Sequence, residues 1–429
     1  MDIKSVMKVK NKNKVDQSTF EAIEKAMDLI IEEFGQNEEL HLQNEIDRRR
    51  YLYDSGYFKI IKEDKGRCTY PGCEKIAIKS HSIQKSASLK IIAEDNHVSM
   101  LAFDYRTEEM KMKRIGVNDA STFPGFCSEH ELMFQVFETK GNIESDIEKL
   151  LQLYRSCCRE IYGNQKSITI SRYRHEQYLN FRNLKFKEMF LEKLEPDMLK
   201  DLRFDSIRYD HLTTNESLIL NQITVAENHL KDFLYPMHKK LLKDIGKGRQ
   251  QSTFLVSITV DIEIPCCLAG ITYISGKGKV IEPIIVNVLP QIGSTMVLFA
   301  APKRLQKRVE WFVRLITRSV FHLLESIEHW ILDNSDHWFI RPSVWDYLND
   351  SIKDNIINKF FLEMYSDSNT ETMIFIQLRK ELIHQFLEHY DPSSEEYQFA
   401  LTKRKSLIEY LEKNGWGSDD QSPGGMALK

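Results

Sequence analysis

Apolar spacing along the chain predicts helices at both ends of the sequence and strands between them. From Ser18, the residues Phe20, Ile23, Met27, Ile30 and Phe34 recur at intervals of three and four, one buried helical stripe. Ser18 and Glu21 suit a capping box and Gly35 a stop. A more polar helix is expected over 38–54, and residues 1–15 read as a flexible basic arm. Within 62–140 the pattern changes: Ile76 and Ile78 alternate with polar positions, and HVSMLAFD and EMKMKRIG read as strands around a turn at 106–108. A helix follows over about 145–162, with Gly163 as its stop. Residues 253–264 largely alternate, and with 269–275, 280–289 and 294–299 they predict an antiparallel meander of three or four strands. Beyond Pro302, one long amphipathic helix to about 332 is expected, then helices near 343–365, 371–389 and 394–414.

Composition fits this picture. With 429 residues the chain exceeds one ordinary core, and the 42% apolar fraction supplies material for two or three. No apolar run reaches the ~18 residues of a membrane span. The N-terminus has five lysines within its first fifteen residues and no apolar core of a signal peptide. The seven cysteines include the vicinal pairs Cys157-Cys158 and Cys266-Cys267, which favour free or metal-bound thiols and a reducing, cytoplasmic location. The net charge of −4 gives no general attraction to nucleic acid, so phosphate binding would need local patches.

One stretch concentrates the candidate chemistry. Cys68 and Cys73 are spaced C-x4-C, and Cys127 and His130 C-x2-H. Thiolate and imidazole ligands delivered in two close pairs are what a structural Zn²⁺ site requires. A Pro-Gly turn lies inside the first pair, and a helix is expected to start at the second.

Around these residues the chain resembles HNH-type (ββα-metal) nucleases with a structural zinc. Ser80-His81-Ser82-Ile83 stands where that family has its strand-end histidine, and FCSEHE where it has the second zinc pair. The resemblance implies a treble-clef module in which His81 is the general base and Glu131 holds a catalytic Mg²⁺ or Mn²⁺. It covers about 75 residues and departs from the family in four places, one being that the last ligand is Glu131 rather than His or Asn. Ser80 replaces the usual ligand before the histidine, Thr122 stands near the asparagine position with Asn118 upstream, and the insert before the helix is long. Asp104 or Asp119 are the candidates to replace the missing ligand.

The implied function is phosphodiester hydrolysis of DNA or RNA. An anti-phage defence role follows by analogy with bacterial proteins that pair such a module with an unfamiliar domain. The alternative is a non-catalytic zinc scaffold that binds a partner protein or nucleic acid. Basic clusters offer a phosphate-binding surface, with Arg172, Arg174, Lys239, Lys240 and Lys243 as candidates and Lys303, Arg304, Lys307 and Arg308 as further cations. His322, Glu325 and His329 share a helix face, and His337 lies beside Trp338, Arg341 and Trp345 in what reads as an aromatic helix junction. The expected fold class is α+β, in five segments. These are an arm with helices (1–61), the zinc-binding HNH-like module (62–142), a helical connector (143–250), an antiparallel sheet packed with long helices (251–414) and a disordered tail (415–429). The sheet domain is expected to sense a trigger or to form a homo-oligomer.

Overall fold

The computed structural model describes residues 8–9, 17–36, 60, 66–104, 109–193, 202–203, 212, 214–275, 281–335, 337–362 and 372–416. Most of the expected basic arm, the helix over 38–54, the turns at 106–108 and 276–278 and the tail beyond Trp416 lie outside these residues. The protein is α+β, with an antiparallel sheet and long helices. Two compact units divide it: Met1–Asp64 with Gly163–Lys231, and Lys65–Tyr162 with Asp232–Lys429. Among the described residues no helix is long and apolar enough to cross a membrane.

In the first unit, α1 (Gln17–Gln36) buries Ile30 and Phe34, and Phe34 meets Phe186 edge-on at 5.4 Å between centroids. The second unit opens with a turn through Cys68 and Cys73, then β1 (Lys79–His81), β2 (His97–Asp104), β3 (Glu109–Gly116) and β4 (Thr122–Pro124). Of the expected 76–83 strand, 79–81 form the ladder with β4 and Ile76 makes an isolated bridge with Arg67, while the Ile76 and Ile78 side chains are exposed. The preceding backbone is committed to its own turn, with Cys68 N–H donating to Lys75 O and Ala77 N–H to Gly66 O, both at 2.9 Å. After β4 come α2 (Ser128–Glu131), a 3-10 turn (Leu132–Phe134) and a last helical turn (Gln135–Glu138).

Next is α3, Asp146–Lys193, which passes through Gly163 without ending there. One glycine costs only about 1 kcal/mol relative to alanine in a helix, too little to stop a 48-residue run. The boundary between the two units falls within it, at Tyr162–Gly163. Its start is a capping box: Ser145 Oγ accepts from Glu148 N–H at 3.3 Å, and Glu148 Oε2 accepts from Ser145 N–H at 2.9 Å. Burial alone would raise the Glu148 pKa, but the amides of Ser145 and Glu144 and the Lys140 ammonium hold it to about 2. A depressed carboxylate stabilises the fold above its unfolded pKa, near 4.5, and that stability is lost as pH falls towards 2. Glu148→Gln is therefore expected to cost roughly 1–2 kcal/mol at pH 7 and to flatten the acid limb of stability between those two pH values, read by urea unfolding.

Helices α4 (Thr214–His229) and α5 (Tyr235–Lys247) lead to the central strands β5 (Thr253–Val260), β6 (Cys266–Ser275), β7 (Ile281–Gln291) and β8 (Ser294–Pro302). Helices α6 (Gln306–Ile316) and α7 (Val320–His329) follow, broken at Thr317–Ser319 rather than continuous. Ser319 is extended, and its Oγ accepts from His322 N–H at 3.3 Å, so it caps a new helix instead of continuing the old one. Then come β9 (Trp338–Ile340), α8 (Pro342–Tyr347), α9 (Asp350–Leu362), α10 (Ile376–His389) and α11 (Glu395–Lys413).

All the longer strands belong to one seven-stranded antiparallel sheet, ordered β3-β2-β9-β6-β7-β8-β5. Strands β6-β7-β8 form an antiparallel meander of three, within the three or four strands expected, and β5 pairs with β8 rather than with β6, which makes the four a Greek key. The segments taken as separate from the sequence, 62–142 and 251–414, therefore share one sheet, joined through β9. Residues 337–340 are thus not a helix junction: Ile340 pairs with Ser99 on one side and with Cys266 on the other. Val286, Val288, Phe299 and Trp330 are buried in the core that α6 and α7 cover, with Phe299 and Trp330 edge-on at 5.7 Å. A buried polar chain ties α3 to the sheet. Gln152 Nε2 donates to Ser82 O at 2.8 Å and to Asn287 Oδ1 at 3.0 Å, and Ser156 Oγ donates to the same Oδ1 at 2.9 Å.

Candidate metal centre and its surroundings

The small pair β1–β4 positions the chemistry. It aligns His81 with Thr122 and Lys79 with Pro124, and α2 starts after three intervening residues. The sequence between its two strands is spent on β2 and β3, which leave to join the large sheet. The turn before β1 is closed by Cys73 N–H donating to Tyr70 O at 3.1 Å, and Gly72 takes φ +76°, open to glycine without strain. Thr69 N–H donates to Gly125 O at 2.8 Å, which brings the two Cys/His pairs face to face.

Cys68, Cys73, Cys127 and His130 converge, their ligand atoms all within 4.8 Å of one another. Cys73 Sγ lies 3.8 Å from Cys127 Sγ, and His130 Nδ1 lies 3.4 Å from Cys68 Sγ and 3.3 Å from Cys127 Sγ. Ligands at zinc–sulfur and zinc–nitrogen bond lengths on a tetrahedron are separated by about 3.8 Å (S to S) and about 3.5 Å (N to S). The group fits a metal ion such as zinc. Tyr70 stacks on the His130 ring at 3.9 Å and holds its plane. Burial pushes the Cys68 thiol up to about 11, whereas the amides of His130 and Glu129, at the start of α2, bring Cys127 down to about 7. One ligand is thus poised as thiolate, and another must surrender its proton to a metal.

Ser80 and His81, adjacent on β1, point to opposite faces. Ser80 is fully buried; its Oγ accepts from Phe126 N–H at 3.1 Å and donates to Glu131 Oε2 at 2.6 Å. His81 is half-buried, with Nδ1 within 3.0 Å of Ala120 O and 3.4 Å of Ser121 Oγ. Donation from Nδ1 to that carbonyl fixes the tautomer and leaves the Nε2 lone pair available. Burial lowers the His81 pKa, and the Arg155 charge acts in the same direction, so the ring is held neutral near pH 7.

Glu131 is differently placed from what a simple metal ligand requires. Its Oε1 accepts from Arg155, and its Oε2 from Ser80. Arg155, almost fully buried, also donates to Glu138 at 2.6 Å and stacks 4.5 Å over Phe134. The structure therefore puts Arg155 and Glu138 beside the candidate residues, although neither stands out in sequence. Glu138 lies seven residues after Glu131, on the same helix face, which was the one available signal. Asp119 is within electrostatic reach of His81, but its Oδ1 takes Lys79 at 2.9 Å. Thr122 donates to Asp119 O at 2.8 Å, Asn118 is exposed, and Asp104 ends β2.

The basic candidates separate into the two units. Arg172 pairs with Glu227, and Arg174 is half-buried and partnered. Lys239, Lys240 and Lys243 lie on α5 in the other unit. Arg304 forms a double hydrogen bond with Glu282, at 2.6 and 2.9 Å. His322, Glu325 and His329 go to Ser319, Lys403 and Asp333, and among the described residues the Cys3His group is the one cluster that can hold a metal. Cys157, Cys158, Cys266 and Cys267 are buried free thiols, with Cys158 pushed up to about 12 by burial. Comparison with protein-family models finds no match, and comparisons with curated proteins and with solved structures find none either.

Proposed function

We propose that the protein is a metal-dependent nuclease built on a zinc-stabilised turn, strand pair and helix. The observation that carries this reading is His81. It ends a short strand beside the Cys3His cluster, with Nδ1 held by a carbonyl and a ring kept neutral by burial. A neutral imidazole with a free Nε2 suits a general base acting on water. As the water oxygen bonds to phosphorus, its proton passes to Nε2 and the bond from phosphorus to the leaving oxygen breaks. Bound Mg²⁺ or Mn²⁺ would supply charge neutralisation at that oxygen, and Glu131 is the carboxylate that would hold it. His81→Ala is expected to lower cleavage of plasmid or RNA by 10²–10⁴-fold, roughly the worth of a positioned base. Equal cleavage by wild type and variant, or none with either metal, would remove the nuclease reading.

A second reading is favoured by one observation: both Glu131 oxygens are already taken, by Arg155 and Ser80. A carboxylate so committed suits a zinc scaffold that binds a partner without cleaving it. One zinc per chain with no second divalent site in metal analysis supports this alternative.

A further inference from the structure

The cations of α5 share one exposed face of the helix. Lys239, Lys243 and Lys247 are exposed and Lys240 is half-exposed, while Met237, Leu241 and Asp244 on the same helix are buried. At 3.6 residues per turn the four lysines fall within one arc of about 100°, opposite the buried side. Arg249, exposed just past the Gly248 cap, continues the stripe. None of these five cations makes an ion pair among the described residues, whereas Lys75, Lys79, Arg172 and Arg304 each have a carboxylate partner. The acid within this stretch, Asp244, faces inward, where it accepts from the amides of Ser252 and Thr253 at 2.9 and 2.8 Å.

This arrangement works against helix stability. Lys239 with Lys243 and Lys243 with Lys247 are like charges four residues apart, and Lys240 with Lys243 three apart, all unfavourable spacings. The helix dipole favours Lys247 in the last turn but not Lys239 or Lys240, nearer the start. The opposite face of α5 packs beside the metal centre: His238 Nε2 lies 3.0 Å from Tyr154 OH and is hydrogen-bonded near Thr69, next to Cys68. A stripe ~12 Å long suits a backbone carrying one charge per ~1.7 Å of duplex axis.

We propose that this face of α5 docks the phosphate backbone of a nucleic acid. The proposal rests on the nuclease reading for the identity of its partner, but the binding it describes does not require cleavage. The test uses the full chain carrying His81→Ala, without added divalent cation, and a labelled duplex DNA or single-stranded RNA followed by anisotropy across a salt series. Lys239→Ala/Lys243→Ala/Lys247→Ala in that background is expected to weaken binding roughly tenfold or more at about 0.15 M salt, and to reduce the salt slope by about 2–3. The thermal midpoint should be unchanged or raised, since repulsion is removed. Arg172→Ala/Arg304→Ala, which removes cations already paired, should change binding far less. Unchanged affinity and slope in the triple variant, equal loss in the paired-cation control, or binding only to anionic lipid vesicles would overturn the proposal. Failure of cleavage with lysine-dependent binding intact would count against the nuclease reading alone.

Discussion

Cys127→Ser is expected to strip zinc from the purified protein and to lower its thermal midpoint by roughly 10 °C or more. Elemental analysis should find about one zinc per wild-type chain and almost none in the variant. The magnitude follows from the energy at stake: structural zinc binding is worth on the order of 10–16 kcal/mol in small domains, and much of that is folding energy. Even a third of it, at roughly 2–4 °C per kcal/mol for a unit of this size, gives the stated shift. Cys127 is the informative position because it contacts both Cys73 and His130 and its thiol is brought down to about 7. Serine preserves size and hydrogen bonding but not the soft thiolate, so the change tests the metal rather than the packing. A chelator should reproduce the shift in wild type and leave the variant unaffected. Equal midpoints with no zinc in either protein would mean that the four residues are buried, metal-free side chains.

The Cys3His cluster was legible because each half of it is local. C-x4-C and C-x2-H are short-range patterns, and the Pro-Gly turns that deliver them are coded beside them. Helical stripes and the alternation of β5 were legible for the same reason. What sequence could not show is long-range. The strands β2 and β3 read as part of a small zinc module, yet a three-residue strand, β9, draws them into the large sheet. Three residues carry no measurable period. Asn287 is a polar residue within an apolar strand, and it accepts from Gln152 and Ser156 on α3. Buried polar residues are explained by partners that lie far away in sequence. Gly163 misled in the opposite direction, because a local stop signal is weaker than the packing of a long helix. Ile76 and Ile78 show that alternation does not by itself bury a side chain: both backbones are paired, yet both side chains are exposed.

Arg155 is the strongest case of information carried by packing alone, and its removal has the second large expected effect. Arg155→Ala should destabilise the protein by about 3 kcal/mol, the lower end of the usual cost of breaking a buried ion pair. The lower end applies because Glu131 and Glu138 side chains remain 19% and 30% exposed, so water can reach the carboxylates left behind. The guanidinium spans Glu131, Phe134 and Glu138, three positions on one face of the helical segment that begins at the metal centre. Losing it should free that segment as well as weaken the core, so zinc release to a chelator should accelerate in the variant. Arg155→Lys should recover only part of the stability, since one ammonium cannot serve two carboxylates and an aromatic face in the same geometry. Adding Glu131→Gln and Glu138→Gln to Arg155→Ala separates the causes: recovery of stability would assign the loss to stranded charge, and no recovery to lost packing over Phe134. If Arg155→Ala unfolds at the wild-type urea midpoint, the pin assigned to Arg155 is not one, and the helix is held by its other contacts.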